Sequence, residues 1–250
     1  MHRFYVPDID ASDRSLTLDG SIAHQLRTVL RVDIGERIRL FDGSGSEWEV
    51  EVDHLGKGTV STTLISAIQP VPEPRASVTM LLGLARPERI ELAIQKCTEL
   101  GAIRFVPVIS ERVQGGNTGA PSAKRLERWQ RIAIEAAEQS GRATVPTVET
   151  PMPVLEAVKH VVELQPVLCM WEEVADESQP LSAVLRSFGS GSARLAALIG
   201  PPGGFTEEEV TAIQEVGANL VTLGARVLRS ETAAVAVMSA ILYELGDLGG

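Results

Sequence analysis

IGPPGG, from Ile199 to Gly204, and LGARVLRSETAA, from Leu223 to Ala234, decide how the rest of the chain reads. Each follows an apolar, strand-like run and precedes a helix-like run. Open α/β sheets bind ligands at such junctions, outside the carboxyl ends of the strands. In the first loop, Gly200, Gly203 and Gly204 let the backbone approach a ligand closely or take a positive φ. Pro201 and Pro202 stiffen the turn. Thr206 and Glu209 have the spacing of a capping box, so a helix starts there. No GK[ST] follows the glycines and no GxGxxG is present in either loop, so neither is a Walker loop or a dinucleotide fingerprint. In the second loop, Arg226 and Arg229 end a short apolar bend. Ser230 or Glu231 then opens a long apolar helix to about Leu245. A carboxylate such as Glu231 is favourable at a helix start in any case, because of the exposed amides and the dipole. The plain reading of the two arginines is ion pairing with Glu207 to Glu209. Two such loops, one capped helix apart, predict a shared pocket.

Working outward, the alternation of strand and helix extends back to Val78. Val78 to Ala85 reads as a buried strand. Pro87 to Leu100 reads as a helix with proline in its first turn and Gly101 past its end. Ile90, Ala93, Ile94, Cys97 and Leu100 keep helical spacing along it. Ile103 to Ile109 is a strand, ERVQGGNTGAPS a long polar loop, and Ala123 to Gln139 a helix. That helix carries Trp129, Ile132, Ala133 and Ala136 on one side and Lys124, Arg125, Arg128 and Arg131 on the other. Val167 to Trp171, Leu195 to Ile199 and Leu220 to Leu223 are further strands. The pattern predicts an α/β domain with a parallel sheet covered by helices on both faces.

Residues 1–70 read differently. Arg37 to Phe41, Glu47 to Asp53 and Thr59 to Ile65 are β runs, the first two joined by the turn signal DGSGS. Trp48, Val50 and Val52 share one face, with acids on the other. One helix interrupts, about Ser21 to Arg31. Ile22, Leu26, Val29 and Leu30 are expected to face inward, and His24, Arg27 and Arg31 outward together. A small β-barrel with one helix is the expected fold. The proline-rich QPVPEPR, Gln69 to Arg75, reads as an extended linker. It divides the chain into residues 1–72 and 73–250.

Composition narrows the function classes. The 250 residues carry a net charge of −10, which argues against a generic nucleic-acid binder. Residues 85–142 hold ten Lys/Arg and seven Asp/Glu, a local excess of +3, whereas residues 143–250 hold five and fourteen. Cys97 and Cys169 are far apart without Cys or His neighbours, so neither a disulfide nor a metal site is expected. The longest apolar run, Thr232 to Tyr243, is too short for a bilayer, which takes about 20 residues. MHRFYVPDID has no apolar core like that of a signal peptide. The expected location is cytoplasmic.

The loop pair resembles that of the SPOUT-superfamily RNA methyltransferases. More narrowly, it is similar to the family that methylates N3 of one uridine in small-subunit ribosomal RNA. MHRFYV, HQLRTVLRVDIGERIRLFDGSG, IQKCTELGA and WQRIAIEAAEQSGR share the likeness in the same order. The resemblance implies a trefoil-knotted C-terminal α/β domain, an N-terminal PUA-like RNA-binding module, a homodimer and S-adenosyl-L-methionine as cofactor. It places that cofactor against Leu198, Ile199, Gly200, Pro201, Gly203 and Gly204 of the first loop. From the second, it adds Leu223, Gly224, Val227, Leu228, Arg229 and Thr232. One departure stands out: the family usually writes Glu where this chain has Pro202.

On that footing Arg229 is expected to stabilise the anion that forms as N3 loses its proton. Glu231 is expected to orient Arg229 or to take the proton. Arg27, Arg31, Arg112, Lys124, Arg125 and Arg128 would contact phosphate and set position. With a net charge of −10 the chain should bind loose RNA poorly, and an assembled small subunit is the expected partner. Two alternatives stay open: methylation of another RNA, at a transfer RNA or a ribose hydroxyl, and a non-catalytic assembly factor that kept the fold.

Overall fold

Periodicity of two in the strands and of 3.6 in the helices sorts the side chains between faces, and the computed structural model shows where each face goes. The structure describes residues 1–112, 121–171, 178–188 and 193–249. The polar loop expected at 111–122 therefore lies largely outside the described residues. Two units emerge: Met1–Pro72 with Ala137–Val145, and Glu73–Ala136 with Pro146–Gly250.

The first unit comprises β1 (Arg3–Tyr5), β2 (Ser15–Leu18), α1 (Gly20–His24), β3 (Arg37–Phe41), β4 (Glu47–Leu55) and β5 (Val60–Ile68). Its sheet runs β1-β3-β4-β5-β2, with β1 parallel to β3 and the other pairs antiparallel. Trp48, Val50 and Val52 are buried, with Ile38, Leu40, Val60, Ala23 and Leu26 beside the latter two. On the outer face Arg37 meets Glu49 at 2.7 Å and Glu51 at 3.4 Å.

Three expectations change here. The barrel is by its hydrogen bonds an open sheet, since the edge strands β1 and β2 are only three and four residues long and do not pair with each other. The expected helix continues beyond α1 as a π-helical segment, Gln25–Leu30. Such a segment winds more slowly than an α-helix, so the inward face drifts and Val29 emerges 65% exposed. The division of the chain also shifts, because Ala137–Val145 joins the first unit. There Phe41 packs with Ala137 and Ala143, and Arg3 donates to the carbonyls of Ala137 and Arg142 at 3.1 and 2.7 Å.

The second unit runs β6 (Ser77–Gly83), α2 (Pro87–Leu100), β7 (Arg104–Ile109), α3 (Ala123–Ser140) up to Ala136, β8 (Thr147–Val148), β9 (Met152–Pro153) and α4 (Val154–Val162). It continues through β10 (Val167–Met170), β11 (Gln179–Pro180), α5 (Leu181–Ser187), β12 (Arg194–Ile199), α6 (Glu207–Glu215), β13 (Asn219–Thr222) and α7 (Ser230–Glu244). The sheet order is β11-β13-β10-β12-β6-β7-β8, with β9 also on β7, and the described pairs are all parallel. Alternate residues separate cleanly. Leu195, Ala197 and Ile199 of β12 face a core built with α2, α5 and α7, while Ala196 and Leu198 face α4 and α6. This is the two-sided burial that makes parallel strands continuously apolar. Burial also pushes the thiols of Cys97 and Cys169 up to about 12, so both are inert at neutral pH.

Candidate active site

Strand register brings the two sequence loops together. Met170 lies opposite both Ile199 and Val221, and Ile199 opposite Leu82. The carboxyl ends of β10, β12, β13 and β6 therefore finish in one row, and the loops that follow them share one rim. There a cavity of about 270 Å³ opens. Its apolar walls include Met170, Trp171, Phe205, Leu223 and Leu228. Its cations are Arg89, Arg226 and Arg229.

The first loop is held by its own bonds. Gly204 N–H donates to Pro201 O at 2.8 Å. Thr206 and Glu209 form the expected capping box at 3.1 and 2.9 Å, and Glu209 also accepts from the Glu111 amide at 2.9 Å. Replacing Thr206 by alanine is expected to cost about 1 kcal/mol, read as a lower urea midpoint at unchanged slope. Behind this loop stands Gly83. A Cβ built there meets Pro201 N at 2.3 Å and Gly200 C at 2.7 Å, so only glycine lets β6 and the loop approach this closely. In the second loop Gly224, with φ +105°, turns the chain away from β13, and its amide donates to Thr222 Oγ1 at 3.1 Å. Arg229 caps α7 with extended backbone, its carbonyl accepting from Ala233 at 2.8 Å.

Of the expected cofactor residues, Ile199, Gly200, Pro201, Gly204, Leu223, Gly224, Val227, Leu228 and Arg229 line the cavity, as does Pro202. Leu198, Gly203 and Thr232 do not. Leu198 points into the opposite core, Gly203 sits against the Arg112 carbonyl, and Thr232 is exposed on α7. Arg226 and Arg229 are exposed and, among the described residues, make no ion pair. Of their expected partners, Glu207 to Glu209, Glu209 is occupied by its cap. Glu231 corrects a further expectation. Its side chain does not line the main cavity or bond Arg229; it lies 3.8 Å from Arg89 Nε and accepts from the Ser230 hydroxyl at 3.3 Å.

Arg89, Met170, Trp171, Phe205 and Thr222 are lining residues that the sequence reading missed. The row of strand ends holds the signal for Met170 and Thr222, whereas Arg89 is brought in by α2 alone. Of the expected RNA contacts, Arg27 and Arg31 are exposed in the first unit, with Arg31 at φ +55° closing the π-helical segment. In the second unit Arg112 and Lys124 are exposed and Arg125 is half-buried. Arg128 is already engaged by Glu91, at 2.6 and 2.8 Å.

Comparisons with known proteins agree with this geometry. Residues 72–242 match a family described as an RNA methyltransferase domain, and residues 18–65 an RNA methyltransferase PUA domain. The ribosomal RNA small subunit methyltransferase E of Synechocystis sp. is 32% identical over 96% of this chain and 77% of its own length. That of Bacillus subtilis is 32% identical over 94% and 93%. A crystal structure of the Neisseria gonorrhoeae methyltransferase E bound to S-adenosyl methionine is 33% identical, covers 97% of both chains and superposes with a TM-score of 0.86. With one matched domain over most of its length, a PUA domain before it and full-length relatives of one kind, the chain belongs to the RNA methyltransferase family, in the branch of the ribosomal RNA small subunit methyltransferases E.

Proposed function

We propose that this chain transfers a methyl group from S-adenosylmethionine to N3 of a uridine in small-subunit ribosomal RNA. The observation that carries the reading is the cavity, walled by two loops at the carboxyl ends of β10, β12 and β13. Its donor set fits the cofactor. Met170, Trp171, Phe205, Leu223 and Leu228 offer apolar surface to a flat base, and the backbone of the two loops offers hydrogen bonds to its edge. Arg226 and the first amides of α7 suit a carboxylate. Val227 lines the cavity while 74% exposed, an apolar side chain that a ligand would cover. When bound, S-adenosylmethionine supplies an electrophilic methyl carbon on a sulfonium leaving group.

The protein's own share is positioning and charge. Arg229 lines the cavity and is exposed, which leaves it free to meet the acceptor. Arg27 and Arg31 in the first unit, and Arg112, Lys124 and Arg125 in the second, contact phosphate; Arg128, held by Glu91, contributes less. The base leaves its stack to enter the cavity. At −10 net charge the chain needs a shaped partner, and an assembled small subunit supplies one. The same reading includes a trefoil knot, supported by the late strand β12 entering between the earlier β10 and β6. It also includes a homodimer: Leu92 on α2 and Tyr243 on α7 are exposed at 43% and 70% on two helices that pack together. No helix among the described residues is long and apolar enough to cross a membrane, in keeping with work in the cytoplasm.

The test pairs two measurements on Arg229→Ala. Methylation of small subunits lacking the mark is expected to fall by about 10²–10³, while affinity for S-adenosylhomocysteine stays within about twofold. Equal loss of both assigns Arg229 to the cofactor. A wild-type protein that binds no S-adenosylmethionine overturns the whole reading in favour of an assembly factor.

A further inference from the structure

Arg89 occupies a place that helix stability does not explain. It lies in the first turn of α2, where the positive end of the helix disfavours a cation. Glu231, in the first turn of α7, faces it across a narrow side pocket bounded by Gly83, Ile90 and Gly200. The carboxylate is nearly buried, with 13% of its side chain exposed, and the guanidinium less so, at 31%. At 3.8 Å from Nε the carboxylate is within ion-pair reach yet beyond hydrogen-bond length. It orients the guanidinium and leaves the N–H fork available. Among the described residues no hydrogen bond to that fork is present, and Arg89 lines the main cavity. It is the least exposed of the three arginines there, since Arg226 and Arg229 are both exposed. It is also the lining residue that α2 supplies, the others lying at the ends of β10, β12 and β13, in the loops that follow them or on α7. The elements read above as gripping the cofactor thus leave Arg89 to the other reactant.

We propose that Arg89, positioned by Glu231, joins Arg229 in holding the negative charge that develops on the carbonyl oxygens of the acceptor base, and that Glu231 takes no proton itself. The proposal rests on the function given above and assigns its acceptor side. In the step the acceptor's N3–H bond breaks and its proton passes to solvent. The N3 electron pair forms the bond to the methyl carbon, and that carbon's bond to sulfur breaks with its pair left on sulfur. Charge on N3 spreads to the flanking carbonyl oxygens, where a preorganised guanidinium acts most strongly. Arg89 is then a catalytic residue and Glu231 a positioning one. The charged groups on or beside the cavity among the described residues are Arg89, Glu231, Arg226 and Arg229.

The experiment measures single-turnover methylation of unmarked small subunits against pH, with S-adenosylhomocysteine titrations alongside, for Arg89→Ala, Arg89→Lys and Glu231→Gln. Arg89→Ala is expected to slow transfer by about 10²–10³ and to move the rising limb of the profile to higher pH, because the acceptor anion loses its cation. Arg89→Lys restores part of the rate and of the limb. Glu231→Gln slows transfer about tenfold, by analogy with loss of an orienting partner, and keeps the shape of the profile. Cofactor affinity stays within about twofold in all three. Loss of cofactor affinity in parallel with rate in Arg89→Ala and Arg89→Lys overturns the proposal, and so does disappearance of the rising limb in Glu231→Gln, which makes Glu231 the base. An unmoved pH profile in Arg89→Ala reduces Arg89 to a structural partner of Glu231 and overturns it as well. Wild-type protein runs in parallel: if it fails to methylate, the function itself is at fault rather than the assignment of Arg89.

Discussion

Gly83→Ala is expected to disable the cofactor site from behind. The new methyl group would stand 2.3 Å from Pro201 N and 2.7 Å from Gly200 C, both backbone atoms of the loop after β12. Neither has a flexible end that can swing aside, so either β6 or the loop must move. Loop movement is the easier route, because β6 is paired on both sides, with β12 and β7. Overpacking of this kind costs about 1–3 kcal/mol. The functional loss should exceed the loss of stability. A displacement of about 1 Å at a reacting centre is enough for a 10²-fold drop in rate, and Gly200 and Pro201 line the cavity directly. Thermal denaturation and S-adenosylhomocysteine titration together separate the two effects. A Gly83→Ala protein of wild-type affinity would show that the loop has slack that its packing against β6 conceals.

The largest stability loss is expected at the other end of the chain. Glu47 is 3% exposed and bonds Arg3 at 2.9 and 3.2 Å, with Arg39 3.8 Å away. Arg3 in turn lies 4.0 Å over the Phe41 ring. Glu47→Ala removes the carboxylate and leaves a nearly buried guanidinium without its counter-charge. Breaking a buried pair from one side typically costs about 3–5 kcal/mol. Adding Arg3→Met should recover much of the loss, since replacing both charges by apolar groups is often close to neutral. Denaturant unfolding of the single and double variants checks this. Affinity for S-adenosylhomocysteine should stay at the wild-type value in both, because every residue lining the cavity belongs to the second unit. Loss of cofactor affinity would mean that the two units do not unfold independently.

The legible parts of the fold are those whose signal is local. Pro87 and Gly101 bound α2 as expected, with Gly101 at φ +109°. Thr206 and Glu209 cap α6, and strict alternation placed Trp48, Val50 and Val52 inward on β4. Where a feature depends on winding or pairing, the reading failed. Val29 keeps α-helical spacing with Leu26, but the π-helical segment rotates it into solvent. The two-residue strands β8, β9 and β11 are too short to show a period. Helix α4 was readable in principle, since Pro153 stands at its N-cap and Val154, Ala157, Val158 and Val161 keep helical spacing and are buried.

The chemistry divides the same way. Glycines, prolines and a capping box are local signals of a strand–loop–helix junction, so the chain alone marked two such junctions near its carboxyl end as candidate ligand loops. Resemblance then supplied their ligand. Which side chains meet inside the cavity depends on strand order and register, and these arise from contacts between residues more than a hundred positions apart, such as Leu82 with Ile199 and Arg89 with Glu231. No local pattern records such distances. Tertiary structure therefore decided that Glu231 holds Arg89 rather than Arg229, and that Leu198, one residue before a cavity wall, faces the opposite core.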